Sequence, residues 1–297
     1  MKLLGIDTAS TATAVALSLG DGRPREARDD PPAGAPPGHT AELLPLAARL
    51  LARAGIGWSE LDAIAVGLGP GTFTGLRVGV ASARALAQSL GIDAIGVGSL
   101  PALALPALRE RHRAGEPARV LAALDARRGE AFIAAYGLSE SSQETGDAVS
   151  DLARVAAGHD RIGGQAGDAV SDLARVAAGQ DGRSERLALV ELLAPRPVPP
   201  ERLAGEIEEL RARTGDAASQ WLAVGDGALL FAAQLAGAGV RLAGPDSPLH
   251  RISAAAVCEL AHAGAGVREQ VRDGRAQVLP EYGRRPDAEL TLEGAAR

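Results

Sequence analysis

The sequence lacks most of the residues from which familiar active sites are built. It has a single cysteine, Cys258, which excludes an internal disulfide and a multi-cysteine zinc site. Its one lysine, Lys2, is the sole candidate for Schiff-base or phosphate-loop lysine chemistry. No Gly-x-Ser-x-Gly elbow is present. The histidines never lie three or four residues apart, so no single helix carries a metal-binding pair; they are His39, His112, His159, His250 and His262.

Aromatic residues are also scarce, and the net charge is negative. Aromatics make up 2% of the 297 residues, so a core must be built from Ala, Val, Leu and Ile. The formal net charge is -6 and no basic stripe is present, which argues against autonomous nucleic-acid binding and predicts that any link to RNA runs through a partner. No run of about 18 apolar residues occurs, so no membrane span is expected. Because Asp7 stands where a secretion signal would still be apolar, we expect a cytoplasmic protein.

What is present is an alternation of apolar strands and helices. The patterns predict strands at 3–6, 13–19, 61–68 and 92–97, and helices at 40–54 and 76–90. Thr40 is expected to cap the first helix, Pro45 to bend it and Gly55 to end it. A proline-rich loop is expected at 29–38.

A second, similar pattern begins near residue 119. The strand 120–124 ends in Asp125, as the first strand ends in Asp7, and a turn and another strand follow. Later in the chain, the apolar segment 221–224 is followed by a glycine-containing turn, as the apolar segment 63–68 is. These parallels favour an ancient duplication that gives two α/β domains of one topology. The alternative is that any α/β protein repeats such units.

A recent repeat lies between the two halves. Residues 146–158 recur identically at 167–179, and each copy predicts a short helix ending at a glycine, Gly158 or Gly179. Helices this short are marginal alone. We therefore predict a tolerated surface insertion at about 139–186, followed by the strand 187–193 and, nearer the C-terminus, a helix at 254–263.

The strongest local signal is the glycine-rich segment 67–79. Glycines let backbone approach a ligand closely, and a following helix points its positive end at the loop, which suits an anion or nucleotide. A tight strand–helix connection without a ligand explains the segment equally well. The candidate cofactor-binding residues are Asp7, Gly69, Gly71, Thr72, Thr74 and Gly75. Asp7 and Asp125 are magnesium candidates, although strand-end aspartates more often cap a turn.

The two helices of the first half carry few charges. Within 76–90 only Arg77 and Arg84 are charged. Small residues recur at a spacing of four and form a stripe along one face of the helix: Gly75, Gly79, Ala83 and Ala87. Such a stripe lets another helix come close. The pattern favours a docking face for another protein, and burial in the chain's own core is the alternative.

Several motifs resemble the TsaB (YeaZ) family over nearly all of 1–136 and again around 187–227. They are Leu4-Gly5-Ile6-Asp7-Thr8-Ala9, Gly38-His39-Thr40, Leu44-Pro45, Gly69-Pro70-Gly71-Thr72-Phe73-Thr74-Gly75-Leu76-Arg77-Val78-Gly79, Gly96-Val97-Gly98-Ser99-Leu100, Asp125-Ala126-Arg127-Arg128-Gly129-Glu130 and Pro280-Glu281-Tyr282-Gly283-Arg284. Gly283 stands where the family usually has leucine, and the insertion departs from the family pattern.

The resemblance implies a two-domain actin/Hsp70-like (ASKHA) α/β fold made of duplicated ribonuclease-H-like domains. The expected domains are 1–103 and 104–250, with a C-terminal helix at about 252–270 packed back on the first domain. A loose tail is expected at 285–297.

The resemblance also implies a non-catalytic subunit. Its partner TsaD shares the fold and holds the ATP and the metal. TsaE joins the complex, and this chain contacts tRNA only indirectly, through the complex. The complex transfers a threonylcarbamoyl group to N6 of adenosine 37 in tRNAs reading ANN codons, and this chain requires no cofactor. A homodimer is an alternative state of the isolated chain. Docking is expected through Leu43, Leu44, Ala47, Leu50, Leu51, Gly75, Arg77, Val78, Gly79, Ser82, Ala83 and Leu86.

The main alternative is an actin-like phosphotransferase or ATPase in its own right. In that case the loop 69–75 would hold phosphate and Asp7 would hold magnesium. A metallopeptidase has little support without a histidine pair.

Overall fold

The computed structural model describes residues 1–32, 34–140, 175–178, 185–217, 220–269 and 278–282. They form two mixed six-stranded sheets with helices between and outside them. The predicted two-domain α/β actin-like architecture is confirmed by this arrangement. No helix among these residues combines the length and apolar character needed to cross a membrane.

The first sheet has the strand order β12-β5-β4-β1-β2-β3. Strand β1 pairs antiparallel with β2 and parallel with β4, and β4 pairs parallel with β5. The strands are β1 (Leu3–Asp7), β2 (Thr13–Ser18), β3 (Arg25–Asp29), β4 (Ala63–Gly67), β5 (Asp93–Val97) and β12 (Val267–Glu269). The four strands predicted in this half are thus present, and the charged β3 is an addition to them.

The second sheet repeats this pairing with the order β11-β10-β6-β7-β9-β8. Strand β6 pairs antiparallel with β7 and parallel with β10, which pairs parallel with β11. The strands are β6 (Arg119–Asp125), β7 (Ala131–Glu140), β8 (Arg175–Ala178), β9 (Glu185–Val198), β10 (Trp221–Val224) and β11 (Arg241–Leu242). Strands β6, β7, β9, β10 and β11 therefore correspond to β1, β2, β3, β4 and β5, which agrees with the predicted duplication.

The helices alternate with these strands. They are α1 (His39–Ala54), α2 (Phe73–Leu90), α3 (Ser99–Arg113), α4 (Pro200–Thr214), α5 (Asp226–Leu230), α6 (Ala232–Gly237) and α7 (Ala254–His262). Short 3-10 turns lie at Trp58–Glu60 and Pro248–His250. The predicted division at residues 103 and 104 falls inside α3, and the domain limits stay a prediction.

Two details of the predicted helices are wrong. Thr40 does not cap α1, because the N-cap position belongs to Gly38 and no side chain bonds there. Helix α2 begins at Phe73 rather than Leu76, so Gly75 lies inside its first turn. Gly55 ends α1 in the left-handed conformation that glycine adopts at little cost, and Pro45 lies within the helix as expected.

The sheets and helices form five layers around three apolar clusters. Helices α1 and α2 cover the face of the first sheet that carries Leu4 and Ile6. Helices α3 and α7 lie between the two sheets and share one cluster with Leu3 of β1 and Val120 of β6. Helices α4, α5 and α6 cover the outer face of the second sheet. Alternate residues of a strand point to opposite faces, which is why neighbouring Leu3 and Leu4 enter different clusters.

The second copy of the repeat differs from the predicted short helix. Its residues Arg175–Ala178 form β8, which pairs antiparallel with β9 at the edge of the second sheet. A helix of this length gains little by itself, whereas the edge of β9 offers backbone hydrogen-bonding groups. The first copy, most of the insertion predicted at 139–186 and the tail predicted at 285–297 lie outside the described residues.

Candidate functional site

The glycine-rich segment packs against the turn between β1 and β2. The Thr72 amide donates to the carbonyl oxygen of Ala9 at 2.7 Å. A Cβ on Gly71 would overlap that same carbonyl, and one on Gly75 would overlap the carbonyl oxygen of Thr8. These two glycines are therefore required by close approach of the chain's own backbone. The residues predicted to bind an anion surround this turn, and Thr74 alone among them is exposed.

Asp7 lies beneath this segment and is only 2% exposed. Its Oδ2 accepts a hydrogen bond from the Ser99 hydroxyl at 2.7 Å, and its Oδ1 accepts one from the Ala9 amide at 2.9 Å. Burial raises the pKa of the carboxyl to about 6, and the two hydrogen bonds oppose that rise. A side chain on Gly67 would overlap the Asp7 carboxylate. Both oxygens of Asp7 thus bond within the chain, and the bond from the Ala9 amide is that of a turn cap, while a role in metal or nucleotide binding stays a prediction.

The stripe of small residues on α2 faces inward. Gly79 lies against Thr8, whose hydroxyl donates to the carbonyl oxygen of Gly75 at 2.7 Å. Ala83 and Ala87 are fully buried in the cluster beneath α1 and α2. The prediction that this stripe meets another protein is therefore wrong: the small residues allow α2 to lie close to the chain's own β1–β2 turn.

The predicted interface residues of α1 lie on two different faces of the helix. Leu44 is 49% exposed, whereas its neighbours on the other face are at most 3% exposed and belong to the same cluster. The buried residues are Leu43, Ala47, Leu50 and Leu51. Because these side chains hold α1 on the sheet, they are not available to a partner, and their assignment to the interface is corrected accordingly.

An outward face on α1 and α2 remains, and we call it the α1–α2 face. It consists of Leu44, Ala48, Arg77, Val78, Ala81, Ser82, Ala85 and Leu86, all exposed or half-buried. The two helices contact each other and cover the same face of the first sheet, so their outward residues lie on one side of the molecule. Most of these residues are small or apolar, which distinguishes the face from the broad polar side of an ordinary surface helix.

A cleft of about 290 Å³ lies where the β1–β2 turn approaches the second sheet. Arg28 borders it and is held by Glu26 at 2.7 Å and Asp30 at 3.0 Å. Asp226 also lines the cleft, and burial raises the pKa of its carboxyl. The sequence patterns did not indicate Arg28 or Asp226, because the cleft forms between segments far apart in the chain.

The turn after β6 holds the counterpart of Asp7. The Asp125 carboxylate accepts a hydrogen bond from the Arg127 amide at 2.7 Å, as Asp7 accepts one from the amide two residues on. Arg127 and Arg128 have φ angles of 63° and 55°, in the left-handed region that few non-glycine residues adopt. The Asp125 amide donates to Asp226 at 2.9 Å. The two strand-end aspartates thus cap equivalent turns in the two halves.

The histidines are dispersed in the fold. His39 is buried, with Nδ1 at 3.0 Å from the Thr13 hydroxyl. His250 contacts the backbone of Gly225, and His262 contacts the Ser18 hydroxyl at 3.0 Å. Among the residues that the structure describes, no three histidine, cysteine or acidic side chains are grouped as metal ligands.

Two duplicated sheets with three helical layers define a two-domain α/β protein of the actin-like class. The sequence model of the family described as "TsaD: tRNA N6-adenosine threonylcarbamoyltransferase" matches residues 31–184, and the chain belongs to that family. It is 34% identical over 170 residues to the tRNA threonylcarbamoyladenosine biosynthesis protein TsaB of Escherichia coli, which covers 54% of this chain and 66% of the relative. It is 38% identical to TsaB of Haemophilus influenzae over 45% of this chain and 52% of the relative.

Solved structures agree with these relatives. YeaZ from Pseudomonas aeruginosa shares the fold with a TM-score of 0.58 at 24% identity, over 95% of this chain and 100% of that chain. A structure titled as an uncharacterized protein with similarity to the peptidase YeaZ, from the same organism, gives a TM-score of 0.61 at 26% identity, over 95% of this chain and 99% of that one. The resemblance to the TsaB (YeaZ) family is therefore confirmed. The chain spans about half to two thirds of the length of the curated relatives it matches.

Proposed function

We propose that this chain is a non-catalytic scaffold and activator subunit in the biosynthesis of threonylcarbamoyladenosine on tRNA. It acts by forming a heterodimer with TsaD, which carries the ATP, the metal and the transfer of the threonylcarbamoyl group to N6 of adenosine 37. TsaE joins this complex, tRNA is bound only through it, and the assembly is cytoplasmic. The chain itself needs no cofactor, and a homodimer is the alternative state of the isolated chain.

The observation that carries the proposal is the α1–α2 face. Leu44 stays 49% exposed while the other side of the same helix is buried. Exposed apolar side chains on two adjoining helices match the depletion of charge at the centre of protein interfaces. The names of the curated relatives, which are biosynthesis proteins of this tRNA modification, support the same assignment.

Substitution of Leu44 tests the proposal. Leu44→Arg places a charge in the α1–α2 face, and we expect the affinity for TsaD to fall at least 10-fold because the guanidinium would be buried without a partner. Calorimetric titration of the full chain with TsaD measures this change. Formation of the modified nucleoside by the two proteins with tRNA should fall in parallel.

Leu230→Arg is the matched control. Leu230 is 56% exposed on α5, in the second half of the chain. This variant should bind TsaD and support modification as the parent chain does. Equal affinity of the parent and Leu44→Arg would rule out the α1–α2 face, and modification by TsaD at an undiminished rate without this chain would refute the activator role.

The cleft between the two halves favours a second candidate, an actin-like phosphotransferase or ATPase. It is bordered by both a cation, Arg28, and a carboxylate, Asp226. Titration of the isolated chain with ATP and magnesium separates the two proposals. Tight binding with turnover, lost in Asp226→Asn, would favour the enzyme over the scaffold.

A further inference from the structure

Three side chains form a stack at the beginning of α2, and we call Phe73, Arg77 and Tyr282 the Arg77 stack. The guanidinium carbon of Arg77 lies 3.7 Å from the centre of the Phe73 ring. The Nε of Arg77 donates a hydrogen bond to the Tyr282 hydroxyl at 2.9 Å. The Phe73 and Tyr282 ring centres are 4.9 Å apart. The arginine is thus held by both a ring face and a hydrogen bond.

The stack is built from elements far apart in the sequence. Phe73 and Arg77 are four residues apart on one helix, which places them on the same side. Tyr282 belongs to the segment 278–282, which packs against the rest of the chain. Val278 is fully buried beneath α2, and the Glu281 amide donates to the carbonyl oxygen of Leu68 at 2.7 Å. The orientation of Arg77 is therefore largely fixed before any partner arrives.

The charge of Arg77 is not neutralised within the described part of the chain, where no carboxylate pairs with it. Arg28 and Arg119, by contrast, each pair with a carboxylate at 2.7–2.8 Å. Arg77 is exposed, and Phe73 beneath it is 43% exposed. Nε is already bonded to Tyr282, which leaves the terminal nitrogens of the guanidinium as its other donors. Such a planar donor pair fits the two oxygens of a carboxylate.

We propose that Arg77 is a pre-oriented anchor for a carboxylate side chain of the protein that covers the α1–α2 face. This inference rests on the proposed function, because it adds a specific polar contact to that interface. Val78, the next residue of α2, is part of the same face, so the stack adjoins the apolar surface. The stack adjoins an apolar helical surface, which suits a protein partner, whereas an RNA backbone is usually held by several cations at once, so we infer a protein carboxylate as the occupant.

The stack makes such a contact more favourable than a mobile arginine would. Ordering a long side chain on binding has an entropic cost. Because the ring contacts already order Arg77 in the free protein, less conformational entropy is lost when a partner binds. Arginine and aromatic residues are also enriched among the residues that dominate interface energies. Lysine cannot substitute, because it has neither the planar donor pair nor the flat face that lies on Phe73.

Titration of the full chain with TsaD tests the anchor. Arg77→Ala should weaken the affinity about 10- to 100-fold. Arg77→Lys should recover little of that loss, although it keeps the charge. Tyr282→Phe keeps the ring and removes one hydrogen bond, so it should weaken the affinity about 3-fold. Arg25→Ala removes an equal charge from the exposed start of β3 and should leave the affinity unchanged.

The outcomes separate this inference from the one it rests on. If the parent chain fails to bind TsaD, the proposed function fails and the anchor with it. If the parent binds and folded Arg77→Ala and Arg77→Lys bind equally well, the anchor alone is overturned. If these variants bind TsaD normally but lower the affinity of the assembled complex for tRNA, the occupant is a phosphate and the proposal is overturned. Thermal unfolding of each variant shows whether it is folded.

Discussion

Single residues in this protein show that the same sequence signal can serve packing instead of binding. The glycine-rich segment predicts either an anion loop or a tight connection, and the structure explains it by contacts with Thr8 and Ala9. Asp7 is similar: a strand-end aspartate predicts either a metal ligand or a cap, the bond from the Ala9 amide is that of a cap, and metal binding stays a prediction. No local pattern shows these contacts in full, because the glycines meet a turn about 60 residues earlier in the chain and Asp7 is bonded by Ser99, which lies 92 residues later.

The raised pKa of Asp7 predicts a dependence of stability on pH. A carboxyl whose pKa is about 6 in the folded state and 3.8 otherwise binds protons more strongly when folded, so stability falls as pH rises from about 4 to 6. Asp7→Asn removes this loss, and at pH 7 we expect it to raise the free energy of unfolding relative to the parent by about 2–3 kcal/mol. Urea unfolding at pH 4.5 and pH 7 measures the effect. The gain should be much smaller at pH 4.5; an equal gain at both values would contradict the assignment.

At the scale of elements, the predictable parts are those with simple periodicity. The strands β1, β2, β4, β5, β6 and β10 and the helices α1, α2 and α7 follow from apolar patterns and glycine stops. Helix α3 was missed because it is buried on most sides and contains Pro106, so it has no clear amphipathic pattern. Helix α4 had an available signal, since Pro200 opens it and Leu203, Ile207 and Leu210 lie on one side.

The direction in which α1 and α2 face could not be predicted from their composition. Few charges and a small-residue stripe are compatible with both a partner and an internal contact. The contact of Gly79 with Thr8 decides the question, and it joins residues 71 positions apart. Which residues of α1 and α2 face outward therefore depends on contacts between distant parts of the chain, and composition alone does not define them.

Two helix glycines give opposite predictions. Gly75→Ala in α2 should destabilise the protein by about 1–3 kcal/mol, because the added Cβ meets the Thr8 carbonyl oxygen. Gly205→Ala in α4 meets nothing within 4 Å and should stabilise the protein by about 0.5–1 kcal/mol through helix propensity. Denaturant unfolding of both variants tests the pair. Similar effects of the two substitutions would mean that the β1–β2 turn does not constrain α2.

At the scale of the whole molecule, the middle layer joins the two halves. One apolar cluster contains Leu3 and Ala16 of the first sheet, Leu103 of α3, Val257 of α7 and Phe132 of the second sheet. The halves are thus alike in topology and share part of their core. The sequence predicted the duplication, and the family resemblance implied that the C-terminal helix packs on the first half. The sharing also depends on α3 lying against β6 and β7, which no local pattern indicates.

A shared middle layer predicts that the two halves unfold together. Calorimetry should give one thermal transition whose calorimetric and van't Hoff enthalpies agree. Gly75→Ala, although located in the first half, should accelerate hydrogen exchange of amides in β6 and β10 as much as in β1. Two resolved transitions, or an effect confined to the first half, would show that the halves are independent.

The position of α7 has a consequence for synthesis on the ribosome. Residues 1–97 supply the β1, β2, β4 and β5 strands early, yet the helix that covers the inner side of β1 and β2 ends at His262. During most of translation, that side of the nascent sheet exposes Leu3, Ala14 and Ala16 to solvent. Chaperones that hold apolar nascent segments should therefore stay associated with this chain until α7 has left the exit tunnel.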